Sequence, residues 1–363
     1  MKRIVIVQPA LPKYRIDFFD RLSSRYGKNL RVYYSPGSLG ALTKPVSKNW
    51  ACELDKIRAL PGGLAWQPKV ARLKIDKGDI LVLSGNPRQL STLVLLARAK
   101  LRRVKVVWWG QYWGSSSRRW RQILRFLPMA MADAILFYTD EEIVAFKQDR
   151  VALGKGRIIS ALNNGIDVTE IARFRKKYCA AEREQALLFI GRLTGKAKLG
   201  LAFQALAELG EIAPDLHVIG AGVEEESLKK LVLHLGISRL VHWHGPLTDE
   251  AEISLVANRC RAFVYPGGVG LSLIHAMAYG LPVIVHNNPR LHMPEIAAFK
   301  SGFTGCAFDN NCVQSLAETI SSLTTATECL DEFSCNAIKI LETGHTTKNM
   351  SWRFQCLIDQ LTI

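Results

Sequence analysis

Two glycine-bearing stretches hold the residue types from which phosphate sites are made. The first, Gly191-Arg192-Leu193-Thr194-Gly195-Lys196-Ala197-Lys198, follows the apolar run LLFI and opens a helical pattern. Arg192 offers paired planar donors and Lys198 a compact cation, which together suit a diphosphate. Lys196 stands two positions earlier and could serve in place of Lys198. The second stretch is Pro266-Gly267-Gly268-Val269-Gly270-Leu271, where side-chain-free backbone leading into a helix would turn amide donors and a positive helix end towards an anion. Either loop alone is also what a solvated strand end or a tight turn looks like. Both in one half of the chain favour a phosphate-bearing ligand.

The glycine turn lies inside Ala262–Val285, twenty-four residues without Asp, Glu, Lys or Arg. An uncharged run of that length invites a membrane-spanning reading, but Pro266, Gly267, Gly268, Gly270, Gly280 and Pro282 would break a spanning helix. The stretch parses instead as a strand at Phe263–Tyr265, the turn, a helix at Leu271–Tyr279 stopped by Gly280, and a strand at Pro282–His286.

The remaining pattern alternates in the same way. Apolar, β-branched runs predict strands at Arg3–Val7, Leu30–Tyr34, Asp79–Leu83, Val104–Trp108, Ala134–Tyr138 and Arg157–Ala161, with helices at Ile16–Arg25, Leu90–Lys100 and from Asp140. Ser35–Asn49 reads as a basic loop, and Thr169–Gln185, basic and polar, as an inter-domain linker. Alternation restarts with strands at Ala186–Ile190, Leu216–Ile219 and Leu240–Trp243 and helices at Leu199–Leu209, Glu224–Leu235 and Val313–Ser322.

This predicts an α/β chain of two Rossmann-like, doubly wound parallel-sheet domains, residues 1–168 and 186–345, with 346–363 as a helix returning to the first. Such sheets bind ligands beyond the carboxyl ends of their strands. Polar candidates at strand ends in the first domain are Tyr14, Arg15, Asn86, Arg88 and Gln111, for each of which a plain solvated surface position is the more ordinary explanation.

The chain has 363 residues, enough for two cores, and its 48% apolar and 22% charged content are those of a globular protein. Eight cysteines stand singly, with no zinc-like spacing, and are expected to be reduced and structural. The opening MKRIVIV is too short in its apolar part for a signal peptide and reads as a strand. A net charge of +16 fits anionic partners. Nucleic acid is disfavoured because no recognised binding module appears. Ser115–Arg125, SSSRRWRQILR, interleaves cations with Trp120, Ile123 and Leu124, as expected either of a helix on an anionic membrane surface or of a solvated basic face. The expected location is cytoplasmic, at most peripheral on the inner face of a membrane.

Taken in order, GRLTGKAKLGLAFQAL, HVIGAG, HGPL, YPGGVGLSLIHAMAYGLPVI and MPEIAAFKSGFTG resemble the signature segments of family 4 glycosyltransferases of the GT-B fold, and NNGID at Asn163–Asp167 resembles the segment before the linker. PALPKYRIDFF resembles the opening of relatives acting on lipid-linked or polysaccharide acceptors. The resemblance implies two domains facing across a cleft. It also implies a retaining, metal-independent hexosyltransferase with no cofactor, drawing on a nucleotide-diphosphate sugar, UDP-linked ahead of GDP-linked, for surface polysaccharide such as lipopolysaccharide. It places Arg192 and Lys198 on the donor diphosphate as the catalytic cations. Gly267, Gly268, Val269, Gly270, Leu271, His275 and Glu295 fall on the donor side, and Tyr14, Arg15, Asn86 and Gln111 on the acceptor side.

One departure stands out. The family's two glutamates, separated by seven residues around the turn, fall here on Gly267 and His275. A histidine can still hold a ribose hydroxyl, whereas nothing replaces the first carboxylate. A catalytically degenerate binding module is therefore the rival expectation, followed by a sugar-nucleotide epimerase.

Overall fold

The computed structural model describes residues 2–37, 46–112, 126–149, 156–325 and 327–362. Ser115–Arg125 and the middle of Ser35–Asn49 lie outside them. The chain divides into two compact units, one formed by Met1–Asp167 with Thr347–Ile363 and the other by Val168–Thr346.

In the first unit, strands β1 (Ile4–Gln8), β2 (Leu30–Tyr34), β3 (Ala51–Glu53), β6 (Ile80–Ser84), β7 (Lys105–Trp109), β8 (Ala134–Phe137) and β9 (Ile158–Ala161) form a parallel sheet of order β3-β2-β1-β6-β7-β8-β9. A small antiparallel hairpin, β4 (Arg58–Leu60) with β5 (Leu64–Trp66), lies between β3 and β6 in sequence. Near-continuous apolar strands are what a sheet covered on both faces requires. Their alternation sorts the side chains. Ile4, Ile6, Val107 and Trp109 join Phe18, Phe19 and Leu22 of the Ile16–Tyr26 helix on one face. Val5, Val7, Val106 and Trp108 join Leu95 and Leu96 of the Leu90–Leu101 helix on the other.

The last described helix, Thr347–Thr362, completes the first of these faces. Phe354, fully buried, meets Phe18 edge-on at 5.9 Å, and Leu357, Ile358 and Leu361 extend the contact. Arg353 donates to the carboxylate of Asp140 at 2.7 and 2.9 Å. Beyond β6 and β7 the connecting loops touch, since a Cβ on Gly85 would lie 2.5 Å from the Gly110 Cα.

In the second unit, β10 (Ala186–Ile190), β11 (Asp215–Ile219), β12 (Val241–Gly245), β13 (Ala262–Tyr265), β14 (Val283–His286) and β15 (Gly305–Phe308) form a parallel sheet of order β12-β11-β10-β13-β14-β15. Helices Leu199–Leu209, Glu225–His234, Glu250–Ala257, Leu271–Ala278, Val313–Thr325 and Thr327–Gly344 accompany it. The Glu250–Ala257 and Thr327–Gly344 helices and strands β3 and β15 are additions to the sequence reading.

The stretch expected as a linker, Thr169–Gln185, is packed into this unit instead. Tyr178 donates its hydroxyl to the Arg261 carbonyl at 2.6 Å, and Arg183, 6% exposed, donates to the carbonyls of Ala257 and Cys260. Basic composition concealed this because Arg183 satisfies carbonyls at the end of the Glu250–Ala257 helix rather than facing water.

Phe354→Ala should lower the stability of the first unit by about 3–5 kcal/mol. Trp352→Ala, on the exposed face of the same helix, should stay within about 0.5 kcal/mol. Urea unfolding followed by near-ultraviolet circular dichroism compares the two.

Candidate functional site

Strand β10 pairs with β11 on one side and β13 on the other, so the strand order reverses there. This is the position at which doubly wound sheets leave a crevice for ligands. The two loops singled out by sequence leave these two neighbouring strands and meet directly. Gly268 donates its amide to the Lys196 carbonyl at 3.1 Å. A Cβ on Gly267 would sit 2.0 Å from that same oxygen and 2.7 Å from the Ala197 carbonyl carbon. Only hydrogen fits, which gives a steric reason for the missing first glutamate.

The turn's amides divide into two sets. Gly268 is engaged as described, and Val269 donates to His292 Nδ1 at 3.2 Å. The expectation that the whole of Gly268–Leu271 faces phosphate therefore narrows to Gly270 and Leu271, which open the Leu271–Ala278 helix and have no intrahelical partner. His292, absent from the sequence reading, is what fixes this arrangement. Its Nε2 donates to the His286 carbonyl at 2.9 Å while Nδ1 accepts from Val269, so the neutral ring ties the turn to the end of β14. The His286 ring stacks on it at 3.7 Å. Burial, His292 and Lys198, in that order, hold His286 down to about 4, and burial first, with Lys198 also contributing, lowers His292.

Lys198 is thus close to the turn. It takes a left-handed conformation, φ 50°, at the start of the Leu199–Leu209 helix and donates to Asn311 Oδ1 at 2.6 Å. Arg192 is exposed, and its charge reaches the Tyr265 hydroxyl, which burial raises and Arg192 pulls back. Glu295, 5% exposed, lies beside the turn, with a carboxylate oxygen 3.7 Å from where a Gly270 Cβ would stand.

His275 is placed differently from expectation. Its Nε2 lies 3.0 Å from both carboxylate oxygens of Glu250, and the Tyr279 hydroxyl donates to the same carboxylate at 2.8 Å. The ring is committed to a side-chain network, so the carboxylate that sequence reasoning found missing from this helix is present one layer away, on Glu250. Only the fold brings that residue, twenty-five positions earlier, against His275.

In the first unit, Arg15 is 9% exposed and donates to Asn164 Oδ1 at 3.2 Å. Tyr14 is 41% exposed. Asn86 is exposed and accepts from its own loop, the Arg88 amide at 3.1 Å. Gln111 is half-buried just beyond β7. Sequence reasoning named no carboxylate here, yet Glu142 is 1% exposed and accepts the amides of Tyr112, Tyr138 and Thr139. Burial pushes its carboxyl up to about 7 against those amides.

A second histidine group lies on β11 and β12. His217 stacks on His242 and His244, with its Nδ1 2.9 Å from His244 Nε2. Burial first, then the other two rings and Arg259, depress His217 to about 4. Among the described residues no three His, Cys, Asp or Glu side chains are grouped so as to hold a metal ion.

Comparison with known proteins agrees with this architecture. Residues 170–340 match the family model of glycosyl transferases group 1. HepE of Anabaena, solved in complex with UDP, has a TM-score of 0.73 at 16% identity, with 100% of each chain covered. The chain has the GT-B fold. The lipopolysaccharide outer core galactosyltransferase WaaB, in its apo form, shares this GT-B architecture at a TM-score of 0.69 and 15% identity, covering 99% of each chain. An uncharacterized glycosyltransferase of Haemophilus influenzae is 24% identical over 225 residues, which span 60% of this GT-B chain and 59% of the relative.

Two outcomes follow. Gly267→Ala should push the turn away from Lys196–Ala197 and lower the melting temperature while the far-ultraviolet spectrum stays unchanged. His217 and His286 bind protons in the unfolded chain near 6.5 but in the folded chain only near 4. Stability should therefore be full above pH 6.5 and fall towards pH 4, by at most about 1.4 kcal/mol per pH unit for each ring. Urea midpoints at pH 7 and pH 5 measure this, and His217→Gln should flatten the slope.

Proposed function

We propose that the protein is a family 4 glycosyltransferase that moves a hexose from a nucleotide-diphosphate donor, UDP-linked ahead of GDP-linked, to a glycan or lipid-linked acceptor of surface polysaccharide, with retention. The observation that carries this reading is the meeting of the two loops at the ends of β10 and β13. There the open amides of Gly270 and Leu271 lie on the same sheet edge as Lys198 and Arg192. The family match over residues 170–340 spans all of these positions, and HepE, of the same fold, was solved with UDP.

The chemistry asked of these groups is electrostatic. As the sugar leaves, negative charge grows on the nucleoside diphosphate. Preset cations and a helix N-terminus stabilise that charge more than they stabilise the bound ground state. The left-handed backbone of Lys198 and its bond to Asn311 hold one cation in place before the donor arrives. With attack on the face the diphosphate leaves, the departing phosphate can take the acceptor proton. The acceptor belongs to the first unit in this reading, beside Tyr14, Arg15, Asn86 and Gln111. Among the described residues no helix is long and apolar enough to cross a membrane, and membrane contact in this proposal is peripheral.

The rival reading, a binding module without turnover, draws on Gly267, which leaves no room for a carboxylate, and on the engagement of His275 by Glu250. Calorimetry with UDP and GDP tests the donor site, since a chain that binds neither refutes the transferase, and turnover of a bound sugar nucleotide separates the transferase from the binding module. Arg192→Ala and Lys198→Ala should each lower kcat/KM by about 100-fold, roughly 2.7 kcal/mol of transition-state stabilisation, with melting temperature as the control for folding. Proton NMR of the product's anomeric signal tests retention.

A further inference from the structure

Among the described residues Arg15 is a buried cation with no carboxylate partner. It sits just before the Ile16–Tyr26 helix, 9% exposed, and Nη2 finds only the amide oxygen of Asn164. Its Nη1 is buried with no acceptor. The guanidinium lies over the Trp109 ring at 4.8 Å and near the rings of Tyr14 and Tyr138 at 5.7 and 5.9 Å. Aromatic faces attract a cation but offset only part of its lost hydration. A buried charge is costly unless paired and hydrogen-bonded.

The surroundings share the same deficit. Gln8, last residue of β1, continues the alternation of Ile4 and Ile6 on the face covered by the Ile16–Tyr26 helix, and Trp109 closes β7 on that face. Gln8 Nε2 and Trp109 Nε1 are likewise buried donors without acceptors among the described residues. Arg183, buried as deeply in the second unit, also leaves one nitrogen, Nη2, without an acceptor, but its Nη1 serves two carbonyls and closes a structural contact, whereas Arg15 reaches one amide oxygen. Three buried donors, on Arg15, Gln8 and Trp109, thus stand without acceptors among the described residues at the carboxyl end of the sheet, where this fold takes its ligands.

We infer that Arg15, with Trp109 beside it and Gln8 on the same face of the sheet, forms an oxyanion subsite in the first unit that takes a phosphate or carboxylate group. The identification of the molecule carrying that group as the sugar acceptor rests on the proposed function, whereas the anion site itself does not. Tyr14, 41% exposed and adjacent in sequence, places the subsite one side chain beneath the surface. A guanidinium there would select acceptors bearing an anion close to the point of attack and reject their neutral counterparts.

The test uses the full chain saturated with UDP, so that the phosphate loops of the second unit are filled. Two pairs of probes are titrated calorimetrically, a C15 isoprenoid phosphate against its alcohol and glucuronate against glucose. The expected result is that one anionic member binds at least tenfold more tightly than its neutral partner. Arg15→Gln should abolish that preference, and Arg15→Lys should retain part of it. Which pair shows the preference tells a lipid phosphate from a sugar carboxylate. Equal binding within both pairs, or a preference unchanged in Arg15→Gln, overturns the subsite. UDP affinity, measured in the same variants, should not change with Arg15. A wild-type chain that binds neither UDP nor GDP but still shows an Arg15-dependent anion preference refutes the transferase and leaves the subsite standing. Melting temperatures identify a variant that has failed to fold, in which case Arg15→Lys decides.

Discussion

The second unit depends on one close approach of two backbones. With a hydrogen in place of a side chain at Gly267, the turn after β13 can lie against Lys196 and Ala197 in the loop after β10. That contact brings Lys198 and the start of the Leu271–Ala278 helix to one edge, and His292 then locks the turn from the other side by holding the Val269 amide. The arrangement is stiff because each member has a single partner in the right protonation state. A protonated His292 would lose its acceptor nitrogen, and a larger residue at Gly267 would separate the loops.

The same constraint explains why no carboxylate can stand at position 267, while the edge keeps its cations and its helix N-terminus. Removing a carboxylate next to a diphosphate also removes a like charge. What remains near the turn is cationic or neutral, with the exception of Glu295, while the Glu250 carboxylate is held by His275 and Tyr279. Anion affinity at such an edge comes from fixed dipoles and two cations, and it should be sensitive to ionic strength mainly through the exposed Arg192.

Much of the fold was legible because parallel sheets demand continuous apolar strands, and IVIV, ILVL and ALLFI can hardly be anything else. The glycine turn was legible for a related reason, since proline and glycine punctuate the uncharged run so densely. The failures share a cause in long-range contact. Arg183 looked like linker polarity until its carbonyl partners were seen, and the polar Thr169–Gln185 segment has no periodicity that reports packing. Strands β3 and β15 are too short and mixed to stand out. His292 sits in a polar stretch, and its value lies in two hydrogen bonds to residues six and twenty-three positions away. Glu250 opens a helix that the sequence reading did not include. Arg15 was visible as a candidate by position, but its burial over Trp109 was not.

The return of the Thr347–Thr362 helix to the first unit means that the chain enters that unit, leaves at Asp167 and comes back only after Thr346. During synthesis the second unit therefore has all its strands before the first has all its core. Until residues 347–362 are made, the face bearing Phe18, Phe19 and Trp109 lacks the cover of Phe354 and Leu357. The first unit's core is therefore completed last, although its strands are made first.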